Sequence, residues 1–402
     1  MKSTHDIIII GGGIIGLSVA YQLLQEHPDV KIAVLEKESA PSLHQTGHNS
    51  GVIHAGVYYA PGSLKAKFCY EGNRLTKSFC DEHQIPFKNI GKLIVATNEL
   101  ELNRMQQLIE RCQKNNLRFE TLNQNETVKK QPGLSAVGSI FIPDAGIVSW
   151  TNVAQKYTEL FRALGGTIYF NQELTDINEA NHSISLTTKL QKFQCDYLIT
   201  CGGLYSDRLV KMSKLKPTFK IIPFRGEYYQ LSDHYSEIFN HLIYPVPDPA
   251  LPFLGVHFTP QIEGHVTVGP NAVLALAREG YSWGAWNVKD AAEILSYRPL
   301  WKLIGKNLSA TMNELRSSFS KSYYLKLLQQ YFPTLKRDDL LPYRAGVRAQ
   351  AVDESGNFIH DFLFVESERI LHTCNAPSPA ATSSLPIGKY IVERFSEKFK
   401  SH

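Results

Sequence analysis

An α/β fold of two unequal domains, one of them a doubly wound dinucleotide-binding unit, is what this sequence predicts, and three observations carry the reading. The chain has 402 residues, past the ~250–300 at which a single hydrophobic core usually stops growing. A β-branched run, Ile7 to Ile10, leads directly into Gly11, Gly13 and Gly16 in the spacing G-x-G-x-x-G. A second apolar run, KIAVLE, then ends on the acidic Glu36, twenty residues beyond Gly16.

The bulk numbers narrow the function classes. Hydrophobic residues at 43% and charged residues at 20% are ordinary for a soluble globular chain that buries a large core. The excess of 42 Lys and Arg over 38 Asp and Glu, a net of +4, is too small for the basic face of a nucleic-acid binder, so no nucleic-acid partner is expected. The six cysteines, at 69, 80, 112, 195, 201 and 374, contain no CxxC, and a reduced cytoplasmic chain is the expectation. The early run DIIIIGGGIIGLSVA opens on aspartate, is interrupted by glycines and lacks a small-residue cleavage site. It reads neither as a signal peptide nor as a span of ~20 apolar residues.

The first elements follow in order. Ile7 to Ile10 suit a buried parallel strand. Ile14, Leu17, Tyr21 and Leu24 recur at helical spacing after the glycines, and KIAVLE is the next strand. In such a unit the first glycine makes the tight turn, the second lets backbone approach a pyrophosphate, and the third lets helix pack on strand. The helix N-terminus, at Ile14 and Ile15, supplies free amides and a partial positive charge. Glu36 is placed to accept hydrogen bonds from a ribose, with Lys37 beside it. The later doublets Gly165-Gly166 and Gly202-Gly203 lack a third glycine, so one dinucleotide is expected. After Glu36 the chain enters KESAPSLHQTGHNSGVIHAG, dense in small and polar residues, instead of another regular strand and helix. That favours a flavin stretched out beneath a loop.

Farther along, IPDAGIVSWTNVAQKYTELFRALGG predicts a helix capped near Ser149 or Thr151 and stopping at Gly165. GKLIVAT, DYLITCGG, IIPFRGEYYQL and HVTVGP read as strands. NAPSPAATSSLPIGKYIVERF reads as small residues followed by a helix. Ser383 or Ser384 can cap it, and Pro386 is tolerated only in a first turn, which sets the helix N-terminus beside Ala381 and Thr382.

The glycine fingerprint, HNSGVIHAGVYY (48 to 59), GKLIVAT (91 to 97), RGEYY (225 to 229), VGPNAVLALAREGY (268 to 281), GVRAQ (346 to 350) and NAPSPAATSSLPIG (375 to 388) together form a recognisable set. In these motifs the chain resembles the L-2-hydroxyglutarate oxidase or dehydrogenase family, part of the FAD-dependent, D-amino-acid-oxidase-like superfamily. The resemblance implies a Rossmann-like FAD-binding domain, from 1–88, 147–215 and 343–402. Interleaved with it would be an α+β substrate domain on a mainly antiparallel sheet, from 89–146 and 216–342.

The resemblance also places the histidine-rich stretch. The loop after the ribose acid would run along the flavin, with Thr46, Asn49, Ser50 and Gly51 offering amides and short side chains, and Gly56 allowing close approach. Gly202 and Gly203 end the strand next to the cofactor, and Ala381 and Thr382 would lie at its pyrimidine edge. His54 would face the ring, or else be a hydrogen-bonded structural histidine; Tyr58 and Tyr59 line a substrate site or simply pack.

Oxidation of a 2-hydroxy acid needs a base for the hydroxyl proton while hydride leaves Cα, and a histidine suits that task. His54 and His257, the latter in PFLGVHFTP, are the candidates. A dicarboxylate needs cationic anchors, and arginine grips carboxylate with two donors. Arg348, Arg344 and Arg225 are the candidates, while Lys65 and Lys67 read as solvated. Residues 285 to 337 hold nine lysines and arginines against three acids, interspersed with Trp286, Trp301, Tyr323, Tyr324, Tyr331 and Phe332. That segment reads either as a solvated helical face or as a peripheral contact with an anionic membrane, where a quinone would compete with oxygen as electron acceptor. Two other functions stay open at this point: a flavin amine or amino-acid oxidase with one anion anchor, and a dinucleotide-binding regulator without turnover.

Overall fold

The computed structural model describes residues 3–180, 182–249, 254–282 and 284–399. Pro252 and Phe253 of the PFLGVHFTP run, and the extreme ends of the expected domain ranges, lie outside them.

Five parallel strands form the first sheet, in the order Ile370–Asn375, Lys192–Thr200, Ser3–Ile10, Ile32–Leu35 and Thr167–Tyr169. An antiparallel hairpin, Leu174–Glu179 with Ile184–Thr188, extends from the early half of Lys192–Thr200. The β-branched run explains why Ser3–Ile10 is central. Its side chains alternate between faces: Ile7 and Ile9 pack under helices Ile14–Glu26 and Ser384–Phe399. Ile8 and Ile10 pack against the hairpin's Ile177, Ile184 and Leu186. A strand buried on both faces reads as continuous hydrophobe.

The second sheet has eight strands. All its pairings are antiparallel except Lys92–Ala96 with Leu242–Pro245. Helix Lys321–Gln329 and the following Tyr331, Phe332 and Leu335 close one face, around Phe258 and Val268. Ile94, Ala96, Ile140 and Ile142 on the other face pack with Ala55, Val57 and helix Glu99–Lys114.

A third unit joins them. Phe219–Gly226 pairs along its whole length with Gly346–Asp353, and Val273–Leu274 extends the ribbon. Sequence assigned the two long strands to different domains; pairing makes them one ribbon at the edge of the cavity described below. The basic, aromatic segment read in the sequence contains helices Val288–Leu295, Arg298–Lys306, Leu308–Phe319 and Lys321–Gln329.

Candidate active site

A cavity of about 770 Å³ runs from Glu36 past the glycine turn to His54, His257 and Arg348. It lies in the upper part of the ~300–1,000 Å³ usual for ligand sites.

The glycine turn shows why each position is small. Gly11 has φ +108°, and a Cβ there would meet the Cys201 carbonyl oxygen at 2.5 Å. A Cβ on Gly16 would meet the Gly11 carbonyl oxygen at 2.0 Å, so helix and turn touch backbone to backbone. Gly13 differs: its Cβ would have only the Thr46 hydroxyl nearby, at 3.5 Å, and it lines the cavity. This open cradle, at the N-terminus of helix Ile14–Glu26, fits a diphosphate. Glu36 is buried, accepts from the Gly12 amide at 2.6 Å and from the Glu38 amide at 2.9 Å, and lines the cavity beside Lys37. Lys37 pairs with Glu38 and Glu279.

Ile14, Ile15, Thr46, Asn49, Ser50, Gly202 and Gly203 line the same wall. The Thr46 hydroxyl accepts from the Ile14 amide at 3.0 Å. The Asn49 side chain organises its own loop, donating to the Gln45 and Thr46 carbonyls and accepting from the Gly51 amide at 2.8 Å. Gly51, with φ +67°, shapes that turn and is not among the lining residues.

The C-terminal motif holds the histidine loop in place. Helix Ser384–Phe399 begins where the sequence placed it, and Ala381 and Thr382 line the cavity ahead of it. Thr382 Oγ1 accepts from the His54 amide at 3.1 Å and donates to the Val52 carbonyl at 3.3 Å. The His54 carbonyl accepts from Asn73 Nδ2 at 2.9 Å and from the Cys69 thiol at 3.4 Å. The backbone of His54 is therefore fixed from both sides, and the residue lines the cavity. Burial, then the charges of Lys92 and His257, hold its pKa well below the ordinary histidine value.

His257 lies across the site. Its Nδ1 is 3.2 Å from the Gly255 carbonyl, which can only accept, so Nδ1 carries the proton and Nε2 keeps its lone pair. Burial pulls its pKa down to about 3. Tyr58 and Tyr59 line the cavity with them, and Tyr59 is hydrogen-bonded to Ser378.

Of the three arginines, Arg348 lines the cavity and is hydrogen-bonded to Tyr228. Arg225 does not. In the ribbon Arg348 stands opposite Phe224 and Arg225 opposite Val347, so the two side chains leave on opposite faces. Arg225 is engaged by Glu227 at 2.6 Å and the Ser282 carbonyl at 3.1 Å. Arg344 is exposed, with its guanidinium 5.8 Å from the Tyr343 ring centroid, and it does not line the cavity either. Lys67 is exposed as expected, but Lys65 lines the cavity and packs by the Tyr59 ring.

Sequence reasoning missed three residues here. Asn73 holds the His54 carbonyl. Tyr244 stacks on His257. Lys92 does not itself line the cavity but lies behind it, 2% exposed, with its ammonium 4.0 Å from the ring centroid of the lining Tyr244. The signal for Lys92 was present, a cation inside the otherwise apolar GKLIVAT strand.

The sequence pattern of the FAD dependent oxidoreductase family matches residues 6–394. The chain is 52% identical over 391 residues to the L-2-hydroxyglutarate dehydrogenase of Escherichia coli K12, covering 97% of this chain and 93% of that one. The chain belongs to the L-2-hydroxyglutarate dehydrogenase family. The mitochondrial L-2-hydroxyglutarate dehydrogenase of Nematostella vectensis is 44% identical, covering 98% of this chain and 91% of its own. The fold extends more widely: L-α-glycerophosphate oxidase from Mycoplasma pneumoniae, solved with FAD bound, superposes with a TM-score of 0.80 at 23% identity over 98% of this chain and 94% of its own. Membership of an FAD-dependent family agrees with the cradle at Gly13, which leaves room for a diphosphate where Gly11 and Gly16 leave none.

Proposed function

We propose that this chain oxidises L-2-hydroxyglutarate to 2-oxoglutarate, with FAD as the bound hydride acceptor at its N5 and oxygen or a membrane quinone as the final acceptor. The observation that carries the reading is the continuity of one cavity from the dinucleotide cradle to a pair of buried histidines and Arg348.

The roles follow from what each side chain is free to do. Arg348 receives the carboxylate next to the hydroxyl carbon, a geometry the guanidinium fork suits. His54 accepts the hydroxyl proton: no described residue hydrogen-bonds its ring, and its depressed pKa keeps it in the unprotonated, accepting form. His257, fixed by Gly255 and Tyr244, orients the substrate through Nε2. Tyr58 and Tyr59 wall this end against water, and the cofactor contacts are those of Gly11 to Gly16, Glu36, Thr46, Ser50, Gly202, Gly203 and Thr382. The interleaved division into FAD and substrate domains belongs to the same reading. An amino-acid oxidase would share this cavity but should prefer amino over hydroxy substrates, and a regulator would bind FAD without reducing it. Anaerobic mixing with 2-hydroxyglutarate and with amino acids separates all three.

Contact with an anionic membrane surface is the second part of the proposal. No helix among the described residues is long and apolar enough to cross a membrane. Trp286 and Phe319 are each 69% exposed and Trp301 52%, alongside exposed Lys289, Lys302 and Arg316. Tyr324, Tyr331 and Phe332, counted with them on sequence, are buried in the core of the second sheet, which narrows the face to 286–319. Apolar anchors among basic side chains suit a peripheral attachment. Cosedimentation with phosphatidylserine vesicles at low salt tests it; an unchanged supernatant fraction would remove the support.

A further inference from the structure

We propose that Lys65 receives the second carboxylate of the substrate and thereby makes the site selective for a dicarboxylate over a monocarboxylate. The inference rests on the reading that the His54–Arg348 end of the cavity is the substrate's.

Lys65 lines the cavity, and its helix ties it to that end. Helix Leu64–Glu82 carries Lys65, Cys69 and Asn73 along one face, because positions four apart are neighbours on a helix. Cys69 donates its thiol to the His54 carbonyl at 3.4 Å, and Asn73 donates to the same oxygen at 2.9 Å. Lys65 stands one turn before Cys69, a rise of about 6 Å. Its ammonium is 5.4 Å from the ring centroid of Tyr59, which lines the cavity with it. The far carboxylate of 2-hydroxyglutarate is three carbon–carbon bonds from the hydroxyl carbon, about 4 Å when extended. With His54 at the hydroxyl, a cation one helical turn from the groups that hold His54 is within reach of that carboxylate.

The helix itself gives no reason for a cation there. Lys65 lies in the first turn, after the Ser63 cap, where the helix dipole disfavours positive charge. It is half-buried, and contact with a ring face recovers only part of the hydration an ammonium loses. Burial raises the Tyr59 phenol, so that neighbour stays uncharged. The acid nearby is Asp361, whose two oxygens already accept from the Leu64 amide at 3.2 Å and the Phe362 amide at 3.0 Å. Among the described residues, no carboxylate lies within 4.0 Å of the Lys65 ammonium. Other cations lining the cavity are committed elsewhere: Lys37 to Glu38 and Glu279, and Arg208 to Asp290 and Glu293. Lys289 is exposed, next to that same Asp290. Arg348, held by Tyr228, takes the first carboxylate, and Lys65 is then the cation placed for the second.

The test compares L-2-hydroxyglutarate with L-2-hydroxypentanoate, which has a methyl group where the second carboxylate stands. In Lys65→Met holoenzyme the KM for the diacid should rise about 10–100-fold, the worth of a hydrogen bond to a charged group. The KM for the monoacid should stay as in the wild type. Lys65→Gln should repeat this split, and Lys65→Arg should recover part of the loss. Calorimetry gives a reading without turnover: glutarate should bind the wild-type holoenzyme more tightly than pentanoate does, and Lys65→Met should erase the difference. An unchanged preference for the diacid in Lys65→Met, or equal losses with both acids, would overturn the assignment. If Arg348→Met raises KM for both acids while Lys65→Met behaves as wild type, only the Lys65 role falls. If neither variant changes KM, the location of the substrate site falls with it.

Discussion

The Tyr244 ring stacks on the His257 imidazole with centroids 4.0 Å apart and 24° between the planes. With Nδ1 turned to the Gly255 carbonyl, this leaves the imidazole one free acceptor, whereas the His54 ring has no partner among the described residues. Conversion of each histidine to glutamine therefore has unequal consequences. His54→Gln should lower kcat by about 10²–10⁴-fold, the usual worth of a positioned base, with FAD still bound. His257→Gln should act mainly on KM. Steady-state kinetics with matched flavin content decides, and equal kcat losses would leave the base unassigned between them.

The pH dependence follows from the buried histidine. His54 is unprotonated through the neutral range, so kcat/KM should show no acid limb at the ordinary histidine value of about 6.5. A pH profile that falls on the acid side through that value would contradict this.

Lys92 has a stability signature. Its folded pKa lies below the unfolded value of about 10.4, so from about 7 up to there the unfolded chain binds the extra proton and stability rises with pH. Below about 7 both states are protonated and the full cost of burying the charge remains. Lys92→Met should therefore raise the melting temperature of the ligand-free protein at neutral pH by roughly 2 °C or more, and flatten its rise at alkaline pH. Thermal scans across pH read both effects.

Gly13 and Gly16 should separate flavin binding from folding. A Cβ at Gly13 meets only the Thr46 hydroxyl at 3.5 Å, while one at Gly16 strikes the Gly11 carbonyl at 2.0 Å. Gly13→Val should purify as a folded, colourless protein. Gly16→Ala should lose stability, by about 1–3 kcal/mol or more, as overpacked sites do. Denaturant melts and visible spectra of the two variants check the contrast.

The parts of this fold legible in sequence are those where local chemistry is decisive. The Ile7–Ile10 run, the glycine spacing and the proline-bearing helix start at Ser384 need no knowledge of distant residues. Arg225 failed because its direction is set by register: one position out of phase with Arg348 puts it on the other face of a ribbon whose partner strand is more than a hundred residues away. Tyr324, Tyr331 and Phe332 looked like a basic-aromatic surface but are core because a sheet covers them. Asn73 was invisible because its function is a backbone contact with His54 across the chain. Lys92 alone carried a sequence signal that was passed over, since a lysine in an apolar strand reads as solvated until the strand is found to be interior.

The most direct measurement is anaerobic titration of the purified holoenzyme with the two mirror forms of 2-hydroxyglutarate, following the yellow flavin absorbance. The L form should bleach it stoichiometrically and yield 2-oxoglutarate, with the D form inert. A flavin that stays oxidised in excess L-2-hydroxyglutarate, or a protein that takes up no FAD, would contradict the assignment of this cavity.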